Sequence, residues 1–230
     1  MGNGNFVLLT SYGRREWGFA TAVFILLGTP AVLFGWWWAL IPLCLFWVGV
    51  AGFFRDPLGR KPDTDAPHDL VSPADGRISR IERVPHHDAT GGGPAIVVRI
   101  FLSVLDVHLN RAPCDASVES ILHVPGRYLD ARSEESAKVN EFNLISLRTD
   151  QGDPIGIRQI SGAIARRIVC PLQPGDRLRR GTRFGMIKFG STTELIVPDR
   201  SGAEVLVSEG DRVTGGRTIL VSLAPVDAGD

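Results

Sequence analysis

Three short segments of the sequence carry side chains that together could attack a carbonyl group. They are SPADGRIS (72–79, with Asp75), FLSVLDVHLNRAP (101–113, with His108) and FGMIKFGSTTELIVP (184–198, with Ser191 after Gly190). A serine hydroxyl is a weak nucleophile without a base, and an imidazole can take its proton near neutrality. A carboxylate can hold that imidazole in the productive tautomer and stabilise its charged form. Taken singly, Asp-Gly is a common turn, a lone histidine is usually structural and Gly-Ser is a frequent loop dipeptide.

The elements that must position these side chains are short and rich in β-branched residues. The runs typical of strands are AIVVRIFL (95–102), FNLISLR (142–148), GIRQI (156–160), FGMIKF (184–189), TELIVP (193–198) and TILVSL (218–223). Turn signals such as PADG, TDQGDP and EGDR separate them, and only residues 126–141 look helical or irregular. This spacing leaves no room for crossover helices. We therefore predict a mainly β catalytic domain, a compact antiparallel barrel or sandwich rather than a doubly wound sheet.

A faint internal repeat runs through this β-rich region. GDRLRRG at 175–181 matches GDRVTGG at 210–216, and each is followed by a strand-like run. The pattern resembles the hairpins of barrel-sandwich domains of the biotinyl and lipoyl carrier type. A carrier needs a lysine at an exposed hairpin tip, and Lys188 qualifies only superficially because Gly190 and Ser191 follow it closely. The carrier interpretation is therefore disfavoured.

Residues 17–54 form an uncharged apolar run that contains all five tryptophans. A single membrane span needs about 20 residues, so the run is nearly twice as long as one helix requires. Gly28, Thr29 and Pro30 interrupt it, and Gly35 follows shortly after, which is turn chemistry near its middle. We predict an α-helical membrane hairpin with arms at roughly 17–33 and 35–54. A signal peptide is the competing interpretation, but its apolar core should be shorter and end at a cleavage site.

Basic residues flank the apolar run on both sides, namely Arg14, Arg15 and Arg55. The positive-inside preference predicts that both ends lie on the cytoplasmic face of the cell (inner) membrane. A full crossing and an in-plane or re-entrant hairpin both remain open, because each arm is short. The predicted domains are a cytoplasmic tail at 1–16, the membrane-anchoring hairpin at 17–54 and the catalytic domain at 55–230.

Composition argues against several other classes of function. The formal net charge is zero, so the composition gives no reason to expect a strongly basic surface that would bind nucleic acid. The three cysteines, Cys44, Cys114 and Cys170, are widely spaced and do not suggest a disulfide framework. His86 and His87 lie together in a Gly-rich loop without a spaced third ligand, so we predict no metal site there. His68 and His123 have no persuasive partner in the sequence.

Taken together, the segments resemble the phosphatidylserine decarboxylase family, particularly its short bacterial and archaeal branch. The resemblance covers nearly all of the chain after the apolar run. It includes SPADG, D-V-H-x-N-R-x-P, PGRYLDA…SEESAKVNEFN, QISGAIARRIVC and GMIKFGSTTELIVP. The Gly-Ser site with its G-M-I-x-F lead-in is the most specific part. Phe189 stands where many relatives have Leu, a departure that leaves the reacting pair intact.

The resemblance implies a proenzyme that cuts itself between Gly190 and Ser191. His108 would act as the base, with Asp75 orienting it, and Ser191 would attack the carbonyl of Gly190. Elimination and hydrolysis would then release ammonia and leave a covalent pyruvoyl group, the pyruvate cofactor, at the position of Ser191. The products would be a β chain of residues 1–190 and an α chain of residues 191–230, which stay together as a heterodimer.

The resemblance also implies the second reaction, in phospholipid biosynthesis. The pyruvoyl carbonyl would form a Schiff base with phosphatidylserine of the bilayer and accept electrons as carbon dioxide leaves, giving phosphatidylethanolamine. His108 is the first choice for the acid that returns a proton. If the strand alternates regularly, Asn110 shares the face of His108 and Arg111 points away, towards a structural or surface role.

Three alternatives stay open beside this interpretation. The first is a non-catalytic, membrane-tethered β-barrel binding module in which Gly190 and Ser191 merely form a turn. The second is a related decarboxylase for another serine head-group lipid, and the third a pyruvoyl enzyme for a soluble amino acid. The predicted hairpin disfavours the third, because a lipid substrate is the simplest reason to hold a site at a bilayer. A higher homo-oligomer is compatible with the sequence.

Overall fold

The uneven distribution of apolar and charged residues along the chain corresponds to two structural units. A computed structural model of the chain describes residues 8–130, 133, 135–163, 167–188 and 191–224. One unit extends up to Gly59 and the other begins at Arg60. The boundary lies a few residues after the predicted end of the apolar run.

The first unit is a pair of helices, α1 (Arg14–Leu33) and α2 (Leu40–Phe53), with a 3-10 turn at Trp37–Ala39 between them. Gly35 reverses the chain with a φ of 70°. The arms touch through the indole N–H of Trp47, which donates to the hydroxyl of Thr21 at 3.0 Å. The predicted helical hairpin is therefore confirmed. The reversal lies at Gly35, which the sequence offered as a turn residue, whereas Pro30 does not interrupt the helix and lies inside the last turn of α1. A proline near the helix end removes only one hydrogen bond.

The apolar length of this hairpin bears on membrane attachment. The helix that includes the preceding 3-10 turn, Ser11–Leu33, has 23 residues and a mean hydropathy of 1.5, which is long and apolar enough to cross a membrane. The second arm, Trp37–Phe53, is a shorter apolar helix. Large apolar side chains on both arms are exposed, among them Leu26, Leu33, Trp38 and Leu45. Such a surface suits an apolar surrounding better than water.

The second unit is built mainly of strands. Those in the described residues are β1 (Asp69–Val71), β2 (Gly76–Val84), β3 (Ala95–Leu102), β4 (Leu109–Arg111), β5 (Ala116–Val124), β6 (Phe142–Thr149), β7 (Pro154–Ile160), β8 (Ile168–Val169), β9 (Arg177–Leu178), β10 (Arg183–Ile187), β11 (Ser191–Pro198), β12 (Ala203–Val205), β13 (Arg212–Val213) and β14 (Ile219–Leu223). A short helix, α3 (Ser136–Val139), lies before β6.

The strands form one large sheet and two small ones. The large sheet has eight strands in the order β13-β2-β3-β11-β7-β6-β5-β9, and its neighbours pair antiparallel. It curls into a half-barrel, while β1-β14-β12 and β4-β10-β8 form the small sheets. This architecture confirms the predicted mainly β, antiparallel barrel-like fold.

The strand β11 lies in the middle of the large sheet, between β3 and β7. Leu195 and Val197 contribute to the main core. Ile196 belongs to a smaller cluster, as alternation along a strand requires. Ser191 has the same parity as Leu195 and is fully buried. The sheet thus points the hydroxyl of Ser191 towards the interior of the half-barrel.

The repeated GDR segments form equivalent turns, which supports the internal repeat seen in the sequence. Gly175 and Gly210 have φ values of 94° and 95°. The N–H of Gly175 donates to the Val118 carbonyl, and that of Gly210 donates to the Ile78 carbonyl, both at 2.8 Å. The first turn leads into β9 beside β5, and the second leads into β13 beside β2. The second unit therefore contains two similar halves.

Candidate active site

Ser191 is the first residue of β11 and lies opposite Leu102 of β3. Its side chain is fully buried, and its hydroxyl oxygen has no hydrogen-bond partner among the described residues. A buried hydroxyl without a partner is unusual, since burying a polar group without a hydrogen bond costs free energy. The predicted partner in the cleavage, Gly190, lies outside the described residues, as does Phe189. Ser191 thus has the burial and the free hydroxyl of a reacting group.

His108 lies directly before β4 and is also fully buried. Its Nδ1 is 2.9 Å from the carbonyl oxygen of Asp106. A carbonyl only accepts, so Nδ1 must carry the hydrogen in this bond. The neutral ring then has its basic lone pair on Nε2. The local loop therefore prepares His108 to accept a proton at Nε2.

Two short connections bring His108 and Ser191 into the same region. Leu102 lies opposite Ser191, and only residues 103–107 separate Leu102 from His108. On the other side, the N–H of Ile187 donates to the carbonyl of His108 at 3.2 Å, and Ile187 precedes Ser191 by a few residues. The structure thus joins the two predicted side chains across β3, β4 and the end of β10.

A buried polar layer connects the strands that carry these residues. The Asn110 amide donates to the hydroxyl of Thr193 at 3.0 Å and accepts from the Gln159 amide at 2.8 Å. All three side chains are fully buried. Thr193 shares the face of Ser191 along β11, so this contact places the Asn110 side chain on the same side of β11 as the Ser191 side chain. The layer fixes β4 against β11 two residues beyond both His108 and Ser191.

The glycine of the G-M-I-x-F lead-in has a role in this layer. A Cβ at Gly185 would lie 2.5 Å from the Val169 carbonyl oxygen and 3.0 Å from the Gln159 amide nitrogen. Sequence reasoning missed Gln159 and Thr193, although both lie in the QISGA and GSTTE segments that carried the resemblance. Polar residues inside strands are common, so the sequence alone could not single out Gln159 and Thr193 without knowledge of their contacts in the structure.

Asp75 binds two groups other than His108. Its carboxylate forms an ion pair with Arg60, with an Nη2–Oδ2 distance of 2.7 Å, and Oδ1 accepts the N–H of Gly215 at 2.9 Å. The position at Nδ1 of His108 that an orienting aspartate would take is held by the Asp106 carbonyl. The expected direct contact is thus replaced by a backbone contact, and a chemical role for Asp75 stays a prediction.

The internal repeat explains part of the setting of Asp75. Asp115 occupies the equivalent place in the other half, and its Oδ1 accepts the N–H of Arg180 at 2.7 Å. Arg180 matches Gly215 in the two GDR segments. A carboxylate therefore fixes the same turn in both halves. The pairing with Arg60 distinguishes Asp75 from Asp115.

The other residues singled out in the sequence make contacts that are typical of structural roles. The guanidinium of Arg111 is buried and donates to the Gly181 carbonyl at 2.9 Å. His87 accepts the Ala89 N–H at 3.1 Å in a 3-10 turn, and burial lowers its pKa. His123 bonds to the Asn143 side chain at 2.8 Å, whereas His68 lies near Asp69. Within the described residues, no group of three His, Cys, Asp or Glu side chains is arranged to hold a metal ion.

Comparisons with known proteins show which family this chain resembles in sequence. The family model described as phosphatidylserine decarboxylase matches residues 49–221. Proteins named phosphatidylserine decarboxylase proenzyme are similar over most of their length. One from Symbiobacterium thermophilum is 42% identical over 90% of this chain and 93% of its own. One from Nitrosomonas europaea is 37% identical over the same shares.

A third relative of that name, from Desulfotalea psychrophila, is 44% identical over 73% of this chain and 76% of its own. The range of the family model, residues 49–221, includes every segment that suggested the resemblance, from SPADG to GSTTELIVP. Ser191, His108 and the strands β3, β4, β10 and β11 around them lie in this matched range. The chain belongs to the phosphatidylserine decarboxylase family.

Proposed function

We propose that this protein is a self-cleaving, pyruvoyl-dependent carboxy-lyase that converts phosphatidylserine into phosphatidylethanolamine and carbon dioxide. One observation supports the proposal most directly. The hydroxyl of Ser191 is buried without a hydrogen-bond partner among the described residues, at the start of a central strand. The residue opposite it, Leu102, leads through a short turn to His108, whose Nδ1 bonds to a backbone carbonyl. A serine in a merely structural turn would satisfy its hydroxyl or expose it to water.

Self-cleavage follows from the chemistry of these two residues. Nε2 of His108 takes the proton of the Ser191 hydroxyl, whose oxygen attacks the carbonyl carbon of Gly190 and displaces the amide nitrogen. Loss of the Ser191 Cα proton then breaks the Cβ–O bond and releases residues 1–190 with a C-terminal carboxylate. Water hydrolyses the remaining dehydroalanine, which releases ammonia and leaves the pyruvoyl group on residues 191–230.

The surroundings of Ser191 fit such a group. When formed, the pyruvoyl group supplies a carbonyl that condenses with an amine and accepts electrons as carbon dioxide leaves. Ser191 itself is fully buried, which keeps this position away from bulk water. His108 can hold a proton on Nε2 and return it to the former α-carbon of the substrate. The same imidazole thus serves both reactions, first as base and then as acid.

The sheet supports the proposal that the two cleavage products would stay together as a heterodimer. In the described part of the smaller chain, β11 pairs with β3 on one side and β7 on the other, and β14 pairs with β1. These strand partners all belong to the larger chain. Cutting before Ser191 removes one covalent bond and leaves the ladders and the core in place.

Membrane attachment suits a lipid substrate. The helix Ser11–Leu33 is long and apolar enough to anchor the chain. Arg14, Arg15 and Arg55 support placement of the catalytic unit on the cytoplasmic face of the cell membrane. Another serine head-group lipid could satisfy the same chemistry, and no observation favours it over phosphatidylserine.

The test compares the purified protein with its Ser191→Ala variant. Denaturing electrophoresis and intact-mass analysis should give two fragments for the wild type and one full-length chain for the variant. Only the wild type should release carbon dioxide from phosphatidylserine. A wild-type protein that decarboxylates the lipid while remaining uncut would refute the proposal, and so would a cleaved Ser191→Ala variant.

A further inference from the structure

The turn between β3 and β4 exposes two large apolar side chains beside the candidate site. The N–H of Asp106 donates to the Ser103 carbonyl at 2.9 Å, which closes a β-turn with Val104 and Leu105 at its central positions. Their exposed fractions are 47% and 82%. Gly, Pro, Asn, Asp and Ser are the residues that usually occupy such positions. An aliphatic pair at the corner of a turn therefore needs a reason.

Side-chain contacts hold this turn rigidly from both ends. Asp106 Oδ2 accepts the backbone N–H of Ser103 at 2.9 Å and its hydroxyl at 2.7 Å. Oδ1 of the same carboxylate accepts from Arg212 at 2.8 Å. The carboxylate of Asp106 is buried, whereas the side chain of Arg212 is 72% exposed. The turn is thus fixed with Val104 and Leu105 directed outward.

The turn is also directly connected to the reacting groups. It follows Leu102, which lies opposite Ser191. The carbonyl of Asp106 accepts from Nδ1 of His108. The apolar corner and the imidazole are therefore parts of one short segment. Whatever covers Leu105 thus contacts a residue that lies within three residues of His108 along the chain.

We propose that Val104 and Leu105 insert into the surface of a phospholipid bilayer, so that a lipid head group can reach Ser191 while its acyl chains stay in the apolar phase. The proposal rests on the proposed function, because a serine head group must travel from the membrane to a buried site. Aliphatic side chains without hydrogen-bonding groups suit the acyl region. The membrane-length helix Ser11–Leu33 is independent support for a bilayer rather than a protein partner.

The experiment uses the full-length protein and two forms of substrate. The test variant is Val104→Thr with Leu105→Gln, which keeps similar volumes and adds no charge. The matched control is Leu122→Gln on β5, a residue that is 53% exposed and lies outside the turn. Each protein receives phosphatidylserine in phosphatidylcholine vesicles or a short-chain phosphatidylserine dissolved as monomer. Self-cleavage, measured by intact mass, reports correct folding.

The test variant should cleave itself normally and decarboxylate the soluble substrate at the wild-type rate. On vesicles its rate should fall about tenfold, the factor expected when part of two aliphatic side chains no longer enters an apolar phase. The Leu122→Gln control should match the wild type on both substrates. A wild-type protein inactive on both would overturn the proposed function itself.

Two results would overturn the insertion alone. If the double variant worked on vesicles as fast as the wild type, the apolar corner would have another occupant, such as a protein. If it lost activity equally on both substrates, the turn would act by holding His108 instead of contacting lipid. In either case the wild-type decarboxylase activity would still stand.

Discussion

Removing the charge of Asp75 while keeping its shape separates a chemical role from a structural one. Asp75→Asn leaves the guanidinium of Arg60 without its carboxylate in a place where the two side chains are only 16% and 9% exposed. Breaking a buried ion pair costs roughly 3–5 kcal/mol. Because both groups keep some contact with water, we expect about 2–3 kcal/mol here.

The internal repeat supplies a matched control for this change. Asp115→Asn weakens the equivalent hydrogen bond to the N–H of Arg180 but breaks no ion pair with an Arg60 counterpart. A single hydrogen bond contributes about 0.5–1.5 kcal/mol. Stability should be measured by thermal unfolding in a Ser191→Ala background, where no variant is cleaved. The difference between the two variants then reports the Arg60–Asp75 pair.

The time course of self-cleavage, followed on denaturing gels after synthesis in vitro, tests the chemistry. The Pro73 carbonyl accepts the N–H of Arg111 at 2.9 Å, so the segment that bears Asp75 lies beside the strand that follows His108. We propose that Asp75 supports the charged imidazole from there. Asp75→Asn should slow cleavage at least about tenfold more than Asp115→Asn. Equal cleavage rates for both variants, despite unequal stabilities, would refute this role.

Three further outcomes follow from other contacts. His108→Ala should abolish both fragments on a denaturing gel, and full cleavage of that variant would remove its role as base. Gly185→Ala should lower the free energy of unfolding of the Ser191→Ala protein by roughly 2 kcal/mol or more, because the new methyl group would lie 2.5 Å from the Val169 carbonyl oxygen. The melting temperature should fall accordingly, and an unchanged melting temperature would contradict the packing described. Burial raises the pKa of the Cys114 thiol to about 12, so a thiol reagent at pH 8 should label Cys114 only after unfolding, and rapid labelling of Cys114 in the folded protein would disagree. Since this thiol stays protonated in the folded state, its contribution to stability should decline as pH rises from about 9 towards 12.

The strands buried on both faces were predictable, and those with one exposed face were not. Residues 95–102 form β3 as expected, since Ile, Val and Leu dominate that run. The strands β2 and β5, each one residue longer than β3, escaped prediction. Their sequences, GRISRIERV and ASVESILHV, carry charged or polar residues on the exposed face, and these dilute the apolar signal.

The candidate site was predictable in its residues but not in its hydrogen bonds. Ser191 and His108 could be named because local motifs carry them. The partner of His108 Nδ1 is the backbone carbonyl of Asp106. Because every residue has a backbone carbonyl, no pattern of side chains in the sequence could reveal this hydrogen bond. The association of Asp75 with Arg60 also depends on a contact between segments that no spacing rule connects.

The glycine of SPADG shows a similar limit. The sequence predicts a turn there, and the structure adds the reason why glycine is required. Gly76 has a φ of 154°, and a Cβ at this position would lie 2.2 Å from the carbonyl oxygen of Phe101. Gly76 therefore allows β2 to approach β3 closely at the level of Ser191. The close contact between Gly76 and the backbone of Phe101, which lie far apart in the sequence, explains why this position requires glycine.

The intact mass of the fragment that begins at residue 191 tests the central claim most directly. A pyruvoyl N-terminus makes this fragment lighter than the same peptide with an N-terminal serine by the mass of one ammonia, and a carbonyl reagent should increase its mass. Treatment of the larger fragment with the same reagent should change nothing. A fragment with the mass of an ordinary serine peptide, unreactive towards the carbonyl reagent, would contradict the account.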